Sequence, residues 1–150
     1  MKTGAADYYG AFLERKSEFE KMLNEKEFSL ISLYLAGVGV ECLLRSYIWN
    51  TNKEFDARHD LNNIYVKCPL KNELTIEDKI NFQKHIQILA SYWKNDLRYY
   101  SKKKFKREFG NEFVRKKYRG DIESQIKKFC DNIFESSLIL LEIGSKYDNH

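Results

Sequence analysis

Residues 29–49, SLISLYLAGVGVECLLRSYIW, constrain the fold more than any other part of the chain. The run has the length of a membrane-spanning helix, about 20 residues. Glu41 and Arg45 lie inside it, however, and charge at that depth in lipid is costly. They are four apart, so on a helix they share a face and can pair. A helix that is apolar on most sides in a chain with 32% charged residues reads as the central helix of a bundle, not as a membrane span. Ser32, Ala36, Gly39 and Ser46 give it a small-residue face. Gly37 and Gly39 each cost about 1 kcal/mol of helix propensity relative to alanine, for which close approach by another helix backbone is the expected compensation.

The flanking sequence supports the same architecture. Ala5, Tyr9, Phe12, Phe19 and Leu23 form a stripe that predicts a first helix over about residues 3–23, with the central helix over about 27–49. Residues 50–60 are polar and read as a loop, with Asp60 poised to cap a short helix from Leu61. Residues 67–74 hold the one proline, Pro69, and read as a connection. Thr75 and Asp78 fit a capping-box pattern. The helix they open carries Phe82, Ile86, Leu89 and Trp93 at helical spacing. Ile122, Ile126, Phe129, Ile133 and Leu140, with Cys130 and Phe134 beside them, predict a last helix over about 121–144. Four long helical patterns and no persuasive strand predict one all-α domain over residues 1–150, an antiparallel bundle of about four to five helices.

Cys42, Cys68 and Cys130 are an odd number, far apart and without a C-x-x-C pair. Free thiols in a reducing cytoplasm are expected, with no disulfide framework and no metal site. The N-terminal residues carry charges every few positions and no apolar stretch, unlike a secretory signal. No phosphate-binding, zinc-protease or hydrolase-elbow motif occurs, so no cofactor is expected.

Net charge is a mild +4, but it is unevenly spread. From Lys94 to Arg119 there are eleven basic and three acidic residues, +8, which leaves −4 for the remainder. Tyr92, Trp93, Tyr99, Tyr100, Phe105, Phe109, Phe113 and Tyr118 are interleaved with those charges. Cations can neutralise phosphates and aromatic faces can stack on bases, so the segment reads as an RNA-binding surface. Its candidate residues are Arg98, Tyr100, Lys102, Lys103, Lys104, Lys106, Arg107, Arg115, Lys116 and Lys117. The competing reading is an amphipathic helix, because Phe105, Phe109 and Phe113 are spaced by four, with lysines on its solvated back. Both hold if the phenylalanines face inward and the lysines outward.

Leu35–Tyr47, LAGVGVECLLRSY, followed by the RHDL element at Arg58–Leu61, resembles a HEPN domain, and WKNDLRYYS at Trp93–Ser101 is similar to members of that family. The resemblance spans residues 30–98. It implies a helical bundle, commonly homodimeric, of a kind found in bacterial defence and toxin–antitoxin systems. Many relatives are metal-independent ribonucleases with an Arg followed, four to six residues later, by a His. Here no Arg stands at the required distance before His59, His85 or His150. Cleavage by 2′-hydroxyl attack needs a proton-exchanging group near neutral pH and a cation for the phosphorane. Arg98 suits the cation; His59 and Tyr99 are the other weak candidates. The expected function is RNA binding without the standard catalytic motif. The alternatives are an antitoxin-like accessory subunit whose protein partner is encoded nearby, or a ribonuclease with a rearranged site. Glu41 and Arg45 are either a structural ion pair or part of a cleft.

Overall fold

The computed structural model describes residues 4–25, 30–52 and 58–147. Among these it contains helices only: α1 (Ala5–Glu25), α2 (Leu30–Asn52), α3 (Leu61–Lys67), α4 (Leu70–Glu73), α5 (Ile76–Tyr92), a 3-10 turn (Asn95–Tyr99), α6 (Lys102–Arg115) and α7 (Ile122–Lys146). The seven α-helices exceed the four to five expected. The additional ones are the single turn α4, immediately after Pro69, and α6, which the spacing of Phe105, Phe109 and Phe113 offers as an amphipathic helix but which lies outside the four long patterns. α2 also runs beyond its expected end, to Asn52.

The all-helical expectation and the place of α2 hold. Tyr8 of α1 meets Trp49 of α2, with ring centroids 6.4 Å apart, so the start of α1 lies against the end of α2 and the two are antiparallel. α5 and α7 are also antiparallel: Tyr147 contacts Asp78, His85 contacts Ser136 and Tyr92 contacts Phe129. α2 packs against α1, α7, α3 and the 3-10 turn. It is the one described helix long and apolar enough to cross a membrane, and 67% of its most apolar stretch is buried within the fold. Phe12 of α1 is fully buried and Tyr9 partly so; the side chains of Phe19 and Leu23 lie outside the described residues.

Local capping follows from side-chain chemistry. Asp60, Thr75, Ser101 and Asp121 each accept a backbone N–H at the third position of the helix they open. The box expected at Thr75 is only half formed. Asp78 does not reach back to the Thr75 amide; the Tyr147 hydroxyl accepts that amide's hydrogen bond at 3.1 Å and itself donates to Asp78 at 2.6 Å. This ties the start of α5 to the end of α7.

The glycine of α2 that is explained is Gly37, and its neighbour is not a helix backbone. A Cβ there would lie 2.0 Å from the Trp93 indole nitrogen, so the missing side chain makes room for a ring. The indole then donates to the Tyr34 carbonyl at 3.0 Å. Gly144 of α7 plays the reciprocal part, accommodating Leu43 of α2.

Candidate functional site

Two polar features stand apart from the core. The first is built on α2. Glu41 and Arg45 are 6% and 7% exposed, and the Arg45 Nε donates to Glu41 at 2.6 Å, as their spacing requires. Arg45 also donates to the Arg58 carbonyl at 2.9 Å. His59 completes the cluster: its Nδ1 lies 3.0 and 2.9 Å from the two Glu41 oxygens. A carboxylate only accepts, so the Nδ1 that faces Glu41 carries a hydrogen. The His59 side chain is 44% exposed and borders a cleft of about 400 Å³ with Asn62, Trp93, Lys94, Asn95 and Asp96. Glu41 and Arg45 are thus both an ion pair and the buried support of a cleft residue. Asp60 is not a partner of His59; it caps α3 through the Asn63 amide at 3.1 Å.

The structure does not join Arg98 to His59 among the described residues. The Arg98 guanidinium instead donates to the Tyr34 hydroxyl at 3.4 Å and sits 4.8 Å from the Tyr99 ring centroid. The Arg98 side chain is thus engaged by Tyr34 and Tyr99, and the guanidinium that shares Glu41 with His59 is the buried Arg45.

The second feature is α6. Phe105, Phe109 and Phe113 point inward and surround Phe129 of α7 at centroid distances of 5.5, 5.5 and 5.3 Å. Lys102, Lys103, Lys106, Arg107, Arg115, Lys116 and Lys117 are exposed. Four of the eight interleaved aromatics, Trp93 and the three phenylalanines, thus belong to the core and are not available for base stacking. Trp93 is buried, whereas Tyr92, Tyr100 and Tyr118 are half-buried; Tyr99 is the exception, 73% exposed beside Arg98.

Carboxylates offset part of the charge. Lys94 pairs with Glu108, Lys102 with Glu123 and Arg115 with Glu112. Tyr100 also donates to Glu108 at 2.6 Å, which pushes the phenol up to about 12, while Lys94 and Tyr100 together hold Glu108 below the usual carboxylate range. Such exposed pairs contribute about 0–1 kcal/mol each, so an anionic ligand can displace them. Lys104 lies over the Tyr100 ring at 4.1 Å. Lys103, Lys106, Arg107, Lys117 and Arg119 make no ion pair among the described residues.

The segment after α6 is held under strain. Lys117 has φ +56°, and its amide donates to Val114 while that of Tyr118 donates to Phe113. This is the Schellman arrangement, with lysine where glycine is the usual occupant.

Lys84, on α5, was missed by the sequence reading. It borders a further cleft of about 390 Å³ with Arg115 and Lys116, and its place in the sequence gives no sign of this. Cys68 and Cys130 are buried free thiols pushed up to about 12 by burial; Cys42 is half-buried and raised to about 11. Among the described residues no group of His, Cys, Asp and Glu is placed to hold a metal ion. No family model, curated protein or solved structure matches the chain.

Proposed function

We propose that this chain is a HEPN-like, homodimeric helical protein that binds single-stranded RNA through α6 and its flanks, in a role of the bacterial defence or toxin–antitoxin kind. The observation that carries the reading is the division of α6: its phenylalanines are committed to the core and its unpaired cations to solvent. Those cations can track a polyphosphate backbone without sequence preference. Only Tyr99 offers an open ring for stacking, so phosphate contacts supply most of the affinity. The family assignment rests on the LAGVGVECLLRSY helix, which is the central element, and on the RHDL element at the start of α3.

The test is fluorescence anisotropy with an unstructured RNA, comparing the natural protein with Lys103→Gln/Lys106→Gln/Arg107→Gln. Loss of at least tenfold in affinity at low salt is expected. Undetectable binding by the natural protein, or unchanged affinity in the triple variant, refutes the proposal. A protein complex that survives nuclease treatment in a pull-down would point to an accessory-subunit role.

One observation favours a second reading, ribonuclease activity: Glu41 holds His59 through Nδ1 at the border of the cleft. That ring is suited to take the 2′-hydroxyl proton while the 2′-oxygen bonds to phosphorus, giving a 2′,3′-cyclic phosphate, and the 5′-oxygen leaves as a hydroxyl that takes its proton from water. Cleavage lost in His59→Ala with binding retained is the expected result; cleavage that persists in that variant removes the reading.

A further inference from the structure

The cations of α6 are not alone at its C-terminal end. Lys84, Gln87, Ser91 and Tyr92 of α5 border the 390 Å³ cleft whose other wall is made by Arg115, at the end of α6, and Lys116, which follows it. We propose that this cleft is a second anchoring point for single-stranded RNA, which holds one backbone phosphate among Lys84, Arg115 and Lys116. The inference rests on the RNA-binding reading of α6 and extends the track of the strand onto α5.

Three observations carry it. The first is charge. Three cations from two helices converge on a concavity, and Glu112 is the acid beside them. Arg115 donates to one oxygen of Glu112 at 3.1 and 2.5 Å, and the Tyr92 hydroxyl donates to the same oxygen at 3.2 Å. Glu112 therefore offsets Arg115 in an exposed pair that a phosphate can displace, whereas Lys84 and Lys116 have no ion-pair partner among the described residues. The field of Lys84 is felt by its neighbour: His85 is held below the ordinary imidazole value by burial and then by Lys84.

The second is rigidity. The Tyr92 ring is fixed edge-on against Phe129 at 4.9 Å and Phe109 at 5.9 Å. Lys116 Nζ lies 5.8 Å from the same ring, within reach of its face. The third is size. Small-molecule sites span roughly 300–1,000 Å³, and this cleft falls at the lower end, suited to one nucleotide unit and not to a large cofactor. The Gln87 amide offers both donor and acceptor to a sugar hydroxyl.

The experiment is the salt dependence of binding to a short unstructured RNA, measured by anisotropy for the natural protein, Lys84→Gln, Lys84→Arg and Lys21→Gln. Lys84 and Lys21 are both exposed, and Lys21 lies on α1, away from the cleft. Each phosphate contact on a single strand contributes about 0.7 to the slope of log affinity against log salt. Lys84→Gln is expected to lower the slope by about 0.7 and to weaken binding about fivefold near 0.1 M salt. Lys84→Arg should bind as the natural protein does, and Lys21→Gln should change neither quantity. If Lys84→Gln keeps the natural slope and affinity while the triple α6 variant weakens binding, the α5 anchor is wrong and the α6 reading stands. If the natural protein fails to bind RNA at all, both are overturned.

Discussion

Replacing Gly37 with alanine places a methyl group 2.0, 2.1 and 2.3 Å from the Nε1, Cδ1 and Cε2 atoms of Trp93. Carbon atoms pack at about 3.5–4.0 Å, so the indole must retreat by about 1.5–2 Å. It has little room to do so, being 4% exposed and tethered to the Tyr34 carbonyl. Overpacking costs about 1–3 kcal/mol. Loss of the indole hydrogen bond adds about 1 kcal/mol. Against these stands a gain of about 1 kcal/mol from replacing a mid-helix glycine. The expected net loss is therefore about 1–3 kcal/mol, read as a lower urea midpoint with unchanged slope. Gly10→Ala is the internal control: nothing lies within 4 Å of its added Cβ, so it should stabilise by about 0.5–1 kcal/mol. Trp93→Phe in the Gly37→Ala background should restore part of the loss, because the smaller ring clears the methyl group. A Gly37→Ala midpoint at or above that of the natural protein would refute the contact, as would a shift in the same direction for both glycines.

Three further outcomes follow from named contacts. Glu41→Ala removes the carboxylate that balances the buried Arg45 guanidinium and should cost about 3 kcal/mol, whereas Glu41→Leu/Arg45→Leu should recover much of it; a double-mutant cycle in urea measures the coupling. Lys117→Gly relieves the left-handed lysine and should raise stability by about 1 kcal/mol, while removing one cation from the RNA surface and lowering affinity. Tyr147→Phe removes the hydroxyl that, first among its partners, holds Asp78 below the ordinary carboxylate value. A depressed carboxylate stabilises the fold above its unfolded value and stops doing so as pH falls through its folded value. The Tyr147→Phe deficit in unfolding free energy should therefore be present at neutral pH and shrink in strong acid.

What the sequence discloses is what local rules govern. Phe82, Ile86, Leu89 and Trp93 recur at helical spacing and all four are buried. The caps at Asp60 and Thr75 are short-range hydrogen bonds within one turn, and so is the pairing of Glu41 with Arg45. Contacts between distant segments are a different matter. His59 reaches Glu41 across a separation of 18 residues, and nothing in its spacing reports this. Trp93, which caps the end of α5, fills the space beside Gly37 of α2 only because the two helices meet in the fold. Tyr147 taking over half of the Thr75 box spans 72 residues. α6 was half legible: the spacing of its phenylalanines was visible, but their commitment to Phe129 was not. Lys84 looks like any solvated lysine of an amphipathic helix until the end of α6 is placed beside it.

The central claim is that exposed, unpaired cations around α6 grip an RNA backbone, and the ratio of affinities at two salt concentrations tests it most directly. If Lys103, Lys106, Arg107, Lys117 and Arg119 each neutralise one phosphate of a single strand, the slope is about −3.5, and raising salt from about 50 to about 200 mM weakens binding roughly a hundredfold. A ratio below about threefold, or no binding at the lower salt, contradicts the account.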